Sequence, residues 1–149
     1  MTSSIAKNFT AGCDAIRHSL FSVPEDVAAR PWREGGWTRK QVLGHMIDAA
    51  ANNHQRFIRA ALDGSYVGPF YAQDGWVAMH GYNELPWSTL LQWWQVYHEI
   101  LQAVVEHIPE ERLTAMCKRG DEDPITLRLL IEDYIVHQQH HLAQIVCPS

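Results

Sequence analysis

The chain has 149 residues, a formal net charge of -5, 46% hydrophobic and 19% charged residues, and an excess of nine His and six Trp. That length fits one domain, residues 1–149, with a core large enough to fold without disulfides. Lys and Arg are scattered with no basic run, which argues against nucleic acid and anionic membrane surfaces as partners.

Cys13, Cys117 and Cys147 form no CxxC pair, so no disulfide framework is expected and a reducing compartment is. The N-terminus lacks the apolar core and cleavage site of a signal peptide, and no stretch of ~18 apolar residues is present. The expectation is a soluble, cytoplasmic protein.

Four helical stretches follow in order. Ile5, Phe9, Cys13, Ile16 and Leu20 recur at helical spacing and predict a first helix from about Ser4 to Ser22, closed by Pro24. The second is predicted from about Arg39 to Leu62. Thr38 and Gln41 read as a capping box at its start, and Gly64 ends it. Its stretch Asp48-Ala-Ala-Ala-Asn-Asn is rich in small residues and allows close approach of a neighbour. A long connection, Ser65 to Pro86, is expected to fold over an end of the bundle. The third helix is predicted from about Ser88 to His107, stopped by Pro109. The fourth runs from about Pro124 to Val146, with Asp123 as N-cap and Pro124 in the first helical position. No segment reads as a strand. The expected fold is all-α, an antiparallel four-helix bundle with a long loop between helices 2 and 3.

The last helix contains His137-Gln-Gln-His140-His141. His137 and His141 are one turn apart and leave the same face, where two imidazoles can reach one metal ion. His140 lies off that face. A stable site usually needs a third ligand, and the second helix offers His45. His45 belongs to a polar line with Asp48, Asn52, Arg56 and Arg59, which faces either water or a polar cleft between helices. Spacing alone leaves both open, because helices produce HxxxH pairs by chance. His54 reads as a hydrogen-bonded core residue, His98 as a seam residue, and His18 and His107 as surface residues. His80 lies in the loop and is unassigned.

Two segments resemble the DinB-like superfamily. Trp37-Thr-Arg-Lys-Gln-Val-Leu-Gly-His45-Met-Ile-Asp48, with Asn52-Asn53-His54-Gln55-Arg56-Phe57, resembles its second helix. Ile131-Glu-Asp-Tyr-Ile-Val-His137-Gln-Gln-His-His141 resembles its last. Gln73-Asp74-Gly75-Trp76 and Gly81-Tyr82 resemble one uncharacterised subgroup. The resemblance implies a triad, His45, His137 and His141, on one divalent ion, zinc or nickel, and a homodimer. It implies a small-molecule substrate, a low-molecular-weight thiol among the candidates. The superfamily includes thiol-dependent transferases and isomerases as well as metal-dependent hydrolases.

Three neutral imidazoles leave a coordination position open, as catalytic sites do. The implied function is therefore a metal-dependent enzyme, a thiol S-transferase or a hydrolase. The alternative is a non-catalytic metal-binding or stress-response bundle. A di-iron carboxylate site is disfavoured by the absence of ExxH on the last helix. Asp133, one turn before His137, and Asp48, three residues after His45, are candidates to accept the spare N–H of a ligand imidazole. Asn52 and Arg56 are candidates for contact with substrate or with the Asp74–Trp76 loop, the loop being preferred for Arg56. No general base stands out.

Overall fold

The structure is a computed structural model and describes residues 3–148. Helix α1 (Ser4–Phe21) begins where Ser3 accepts the amide of Ala6. A short helix, α2 (Glu25–Ala28), follows Pro24. Helix α3 (Arg39–Asp63) carries the expected capping box. Thr38 Oγ1 accepts from the Gln41 amide at 3.2 Å, and Gln41 Oε1 accepts from the Thr38 amide at 3.0 Å. Gly64 ends it with φ 80°, a left-handed conformation that a side chain would strain. Helix α5 (Trp87–His107) starts one residue before its predicted position.

The long connection is structured. It contains strand β1 (Ser65–Gly68) and helix α4 (Gln73–His80), then one 3-10 turn, Tyr82–Glu84. It does not fold over the end of the bundle as expected. It runs back along α3: Tyr82 packs on Gly44, and Lys40 Nζ donates to Leu85 O at 2.8 Å. A Cβ at Gly44 would lie 2.1 Å from the Tyr82 ring, so this seat requires glycine.

The expectation of no strands is also corrected. Strand β2 (Met116–Arg119) pairs in parallel with β1, placing Ser65 opposite Met116 and Gly68 opposite Arg119. Strand β3 (Ile125–Thr126) closes a hairpin on β2. The fourth long helix, α6 (Leu127–Val146), therefore starts after Pro124, not at it. Its N-cap is Thr126, whose hydroxyl accepts the Leu129 amide at 3.1 Å, and not Asp123. Ile125 and Thr126 are held extended by their pairing with Met116 and Cys117, which leaves Pro124 upstream of any helical turn.

The four long helices form a ring in which α3 packs on α5 and α6, and α1 on the other sides of the same two. α3 runs antiparallel to α6, with Arg39 meeting Ile145 and Met46 meeting Gln138. α1 runs antiparallel to α5, with Val23 meeting Trp87 and Cys13 meeting Gln102. α3 and α5 run the same way, Lys40 meeting Leu85 and His54 meeting Tyr97. The connection that walks back along α3 is what makes this parallel pair possible.

Leu20, Leu43, Met46, Trp94, Leu101 and Ile131 belong to one continuous buried core. A polar chain crosses it. His98 Nδ1–H donates to Trp94 O at 2.7 Å, so its Nε2 accepts from the Tyr134 hydroxyl at 2.6 Å. The imidazole stacks on the Trp94 ring with centroids 3.9 Å apart. All six Trp are buried or half-buried within the chain. Among the described residues, no helix is long and apolar enough to cross a membrane. Cys13, Cys117 and Cys147 are free thiols.

Burial lowers the His98 pKa to about 4, against an ordinary value of 6.5. The unfolded chain therefore binds a proton below pH ~6.5 that the folded chain refuses. Stability from this group is complete above pH ~6.5 and falls as pH drops toward 4, by up to about 3 kcal/mol. Urea unfolding across that range should show the loss, and His98→Gln should flatten its share of the slope. An identical slope in both proteins would contradict the assignment.

Candidate functional site

Helix α3 buries polar residues on an unusual scale: Arg39, His45, Asp48, Asn53 and Arg56 are all buried. The polar line seen in the sequence thus faces inward at His45, Asp48 and Arg56, while Arg59 is exposed. The line splits between two destinations.

His45 and Arg56 line a cleft of about 370 Å³ between α3 and α6, roofed by Phe70 and Tyr71 of the connection. His137 and His141 line the same cleft from α6. The three histidines singled out in the sequence thus line one cleft. The His45 and His141 rings meet edge to face with centroids 4.5 Å apart, and the Trp37 ring packs against His45 at 5.3 Å. His45 is 4% exposed and its Nδ1 has no hydrogen-bond partner. His141 Nδ1–H donates to Gln144 Oε1 at 3.0 Å, leaving Nε2 as a lone-pair donor. His137 stands exposed at the rim, and exposed His140 meets His141 edge to face.

As arranged, no group of three His, Cys, Asp or Glu among the described residues converges closely enough to hold an ion. The donor chemistry nevertheless fits one. Burial, then the neighbouring His141 and His137, lowers the His45 pKa to about 4. Burial also lowers that of His141. Both rings are neutral at physiological pH, as metal ligation requires. An unpartnered ring nitrogen in a buried site costs free energy that a ligand would recover.

Asp48 goes elsewhere. Its Oδ1 accepts from the Tyr82 hydroxyl at 2.6 Å and lies 3.3 Å from His80 Nδ1, and its Oδ2 has no partner. The candidate Asp48–His45 hydrogen bond is absent. Three residues of helix turn the carboxylate ~60° from the imidazole, toward α4. Burial raises its pKa against the opposing effects of Tyr82 and His80. Asn52 also misses the cleft, its amide donating to Asp48 O at 2.9 Å. Its neighbour Asn53 lines the cleft instead. Asp133 lines the cleft without a hydrogen bond to His137. Arg56 does tie the connection, donating to Pro69 O at 3.3 Å, upstream of the expected Asp74–Trp76 contact. His54 is half-buried and bonded to the Tyr97 hydroxyl at 3.0 Å, and His18 and His107 are exposed, as read from sequence.

Three positioning residues escaped the sequence reading. Gln144 orients His141, from an i,i+3 spacing that was legible. Gln138 donates to Met46 O at 3.0 Å and accepts from Trp94 Nε1 at 3.0 Å, fixing α6 against α3 beside His45. Arg39, fully buried, donates to Ile145 O at 2.8 Å and to Cys147 O at 2.9 Å.

The sequence profile of the DinB superfamily matches residues 9–145. The chain belongs to the DinB superfamily. A Geobacillus thermodenitrificans relative described as "Putative metal-dependent hydrolase" is 28% identical over 138 residues, 89% of this chain and 75% of that one. The Bacillus subtilis protein YfiT, with the same description, is 28% identical over 120 residues, 77% of this chain and 65% of its own. The solved YfiT structure superposes with a TM-score of 0.84 at 21% identity, covering 97% of this chain and 86% of that one. A mycothiol-dependent maleylpyruvate isomerase superposes with a TM-score of 0.79 at 12% identity, covering 97% and 60%. This DinB-superfamily chain thus shares the four-helix bundle fold of YfiT.

Tyr82→Phe should leave the buried Asp48 carboxylate short of its best donor and cost about 1–3 kcal/mol of stability in urea unfolding. A cost near zero would mean that the Tyr82–Asp48 bond does not form.

Proposed function

We propose that this chain binds one divalent metal ion, zinc or nickel, through His45, His137 and His141, and acts as a metal-dependent enzyme on a small-molecule substrate. The observation that carries the reading is that three imidazoles line one cleft, one of them buried with an unpartnered nitrogen. The metal-dependent names of the relatives point the same way.

When bound, such an ion supplies Lewis acidity, lowering the pKa of a water or thiol nucleophile and polarising an electrophile. The chain's own contributions are separable. His45 is held from α3 by packing against Trp37, and His141 is oriented by Gln144. Gln138 holds the two helices at the spacing that sets both rings side by side. His137, on the exposed rim, has the rotamer freedom to close the set. Phe70 and Tyr71 shield the cleft, and Asp133, one turn before His137 on α6, lines it where it could exchange protons with a substrate.

Hydrolysis and transfer to a low-molecular-weight thiol both use these parts. A non-catalytic metal-binding module is disfavoured by the roomy cleft beside the histidines, which a closed store does not need. The homodimer draws its support from an exposed apolar strip on α3 and α5, where Ile58, Leu62 and Ile100 face out. The site would reside within one chain.

Metal analysis of tag-free protein tests the reading. About one zinc or nickel per chain is expected. His45→Ala, His137→Ala and His141→Ala should each abolish stoichiometric binding, and His140→Ala should retain it. No metal in wild type, with none taken up on dialysis, or equal loss in His140→Ala, would overturn the assignment.

A further inference from the structure

The chain buries two guanidinium groups, and it treats them differently. Arg39 is enclosed by carbonyls: Ile145 O, Cys147 O, Pro31 O and Arg30 O all accept from it, at 2.8 to 3.3 Å. Arg56 is 4% exposed and makes one long hydrogen bond, 3.3 Å to Pro69 O. A guanidinium has five N–H donors and does not lose its charge at accessible pH. Among the described residues no carboxylate forms an ion pair with it. The nearby Arg119, on the same cleft, is matched by Glu122 at 3.1 Å. A buried cation without a counter-charge is costly, and its removal from bulk water is usually compensated by a paired anion.

We propose that Arg56, with the Tyr71 hydroxyl, forms an oxyanion-binding subsite in the cleft, and that the substrate carries a carboxylate or phosphate anchored there. The subsite stands on the Arg56 geometry alone; its role as the substrate anchor rests on the metal-enzyme reading above.

The setting is consistent with this. Arg56 and Tyr71 both line the cleft that holds the histidines. The phenol stays protonated, because burial first and the Asp48 charge second push it up to about 12, against the opposing charge of Arg56. Tyr71 is therefore available as a neutral donor beside a fixed cation. Arg56 lies eleven residues beyond His45 on α3, a rise of about 16 Å. The ligand class is thus an elongated small molecule, with an oxyanion at one end and its reactive group toward the imidazoles. A cavity of about 370 Å³ suits that size. The bidentate fork of arginine matches either carboxylate or phosphate oxygens.

Isothermal titration of the full chain, as purified and after chelation, tests the subsite. The probes are succinate, inorganic phosphate and the neutral succinamide, at constant ionic strength in chloride. One saturable site for succinate or phosphate is expected, and which of the two binds more tightly assigns the oxyanion. Arg56→Gln should weaken it by about tenfold or more. Arg56→Lys should weaken it less, and serves if Arg56→Gln does not fold. Arg119→Gln should stay within about twofold of wild type, since its charge is already paired. No saturable binding, equal binding of succinamide, or undiminished affinity in Arg56→Gln and Arg56→Lys would overturn the proposal. Arg56-dependent binding that persists in a chain shown to take up no metal would support the subsite and overturn only the metal reading.

Discussion

The register between α3 and α6 is the constraint on which the site depends. Arg39 sets it at one end. Its guanidinium is fully buried, among the described residues it pairs with no carboxylate, and it spends its donors on the terminal carbonyls of α6 and on the chain before α3. Those carbonyls carry the partial negative charge of a helix C-terminus, so the pairing is electrostatic as well as geometric. About two turns further on, Gln138 makes the second pin by donating to Met46 O. His45 lies between the two pins on α3, and His141 lies between them on α6. A slip of one residue would rotate each ring ~100° about its helix and separate them.

The cleft that results is chemically asymmetric. One end has neutral imidazoles, kept neutral by burial and by each other, and the other has an unpaired guanidinium. The connection between α3 and α5 closes the side. It packs Tyr82 on Gly44, so the same helix that supplies His45 also anchors the roof. One element, α3, thus serves both fold and site, and its polar residues face inward where a bundle helix usually faces water.

Much of this was legible in the sequence. The long helices show their periodicity, and Thr38 with Gln41 announces the start of α3 to the residue. His137 and His141 declare a shared face by their spacing. What was not legible depends on partners far along the chain. β1 and β2 are four residues each, too short for alternation, and pair across a gap of about fifty residues. Asp123 and Pro124 imitate a helix start because local capping chemistry is present, but the pairing of Ile125 and Thr126 overrides it. Asp48 falls on the polar line by helical arithmetic. Only the return of Tyr82 and His80 along α3 decides that it leaves the cleft. Arg39 and Arg56 look alike in sequence. They differ only in what α6 and the connection bring to them.

X-ray absorption at the zinc edge of the metal-loaded chain tests the central claim most directly, because it counts imidazoles at the ion regardless of activity. The account predicts a first shell with three imidazole ligands, falling to two or to no bound zinc in His45→Ala. A first shell without imidazole, or one unchanged by His45→Ala, would contradict it.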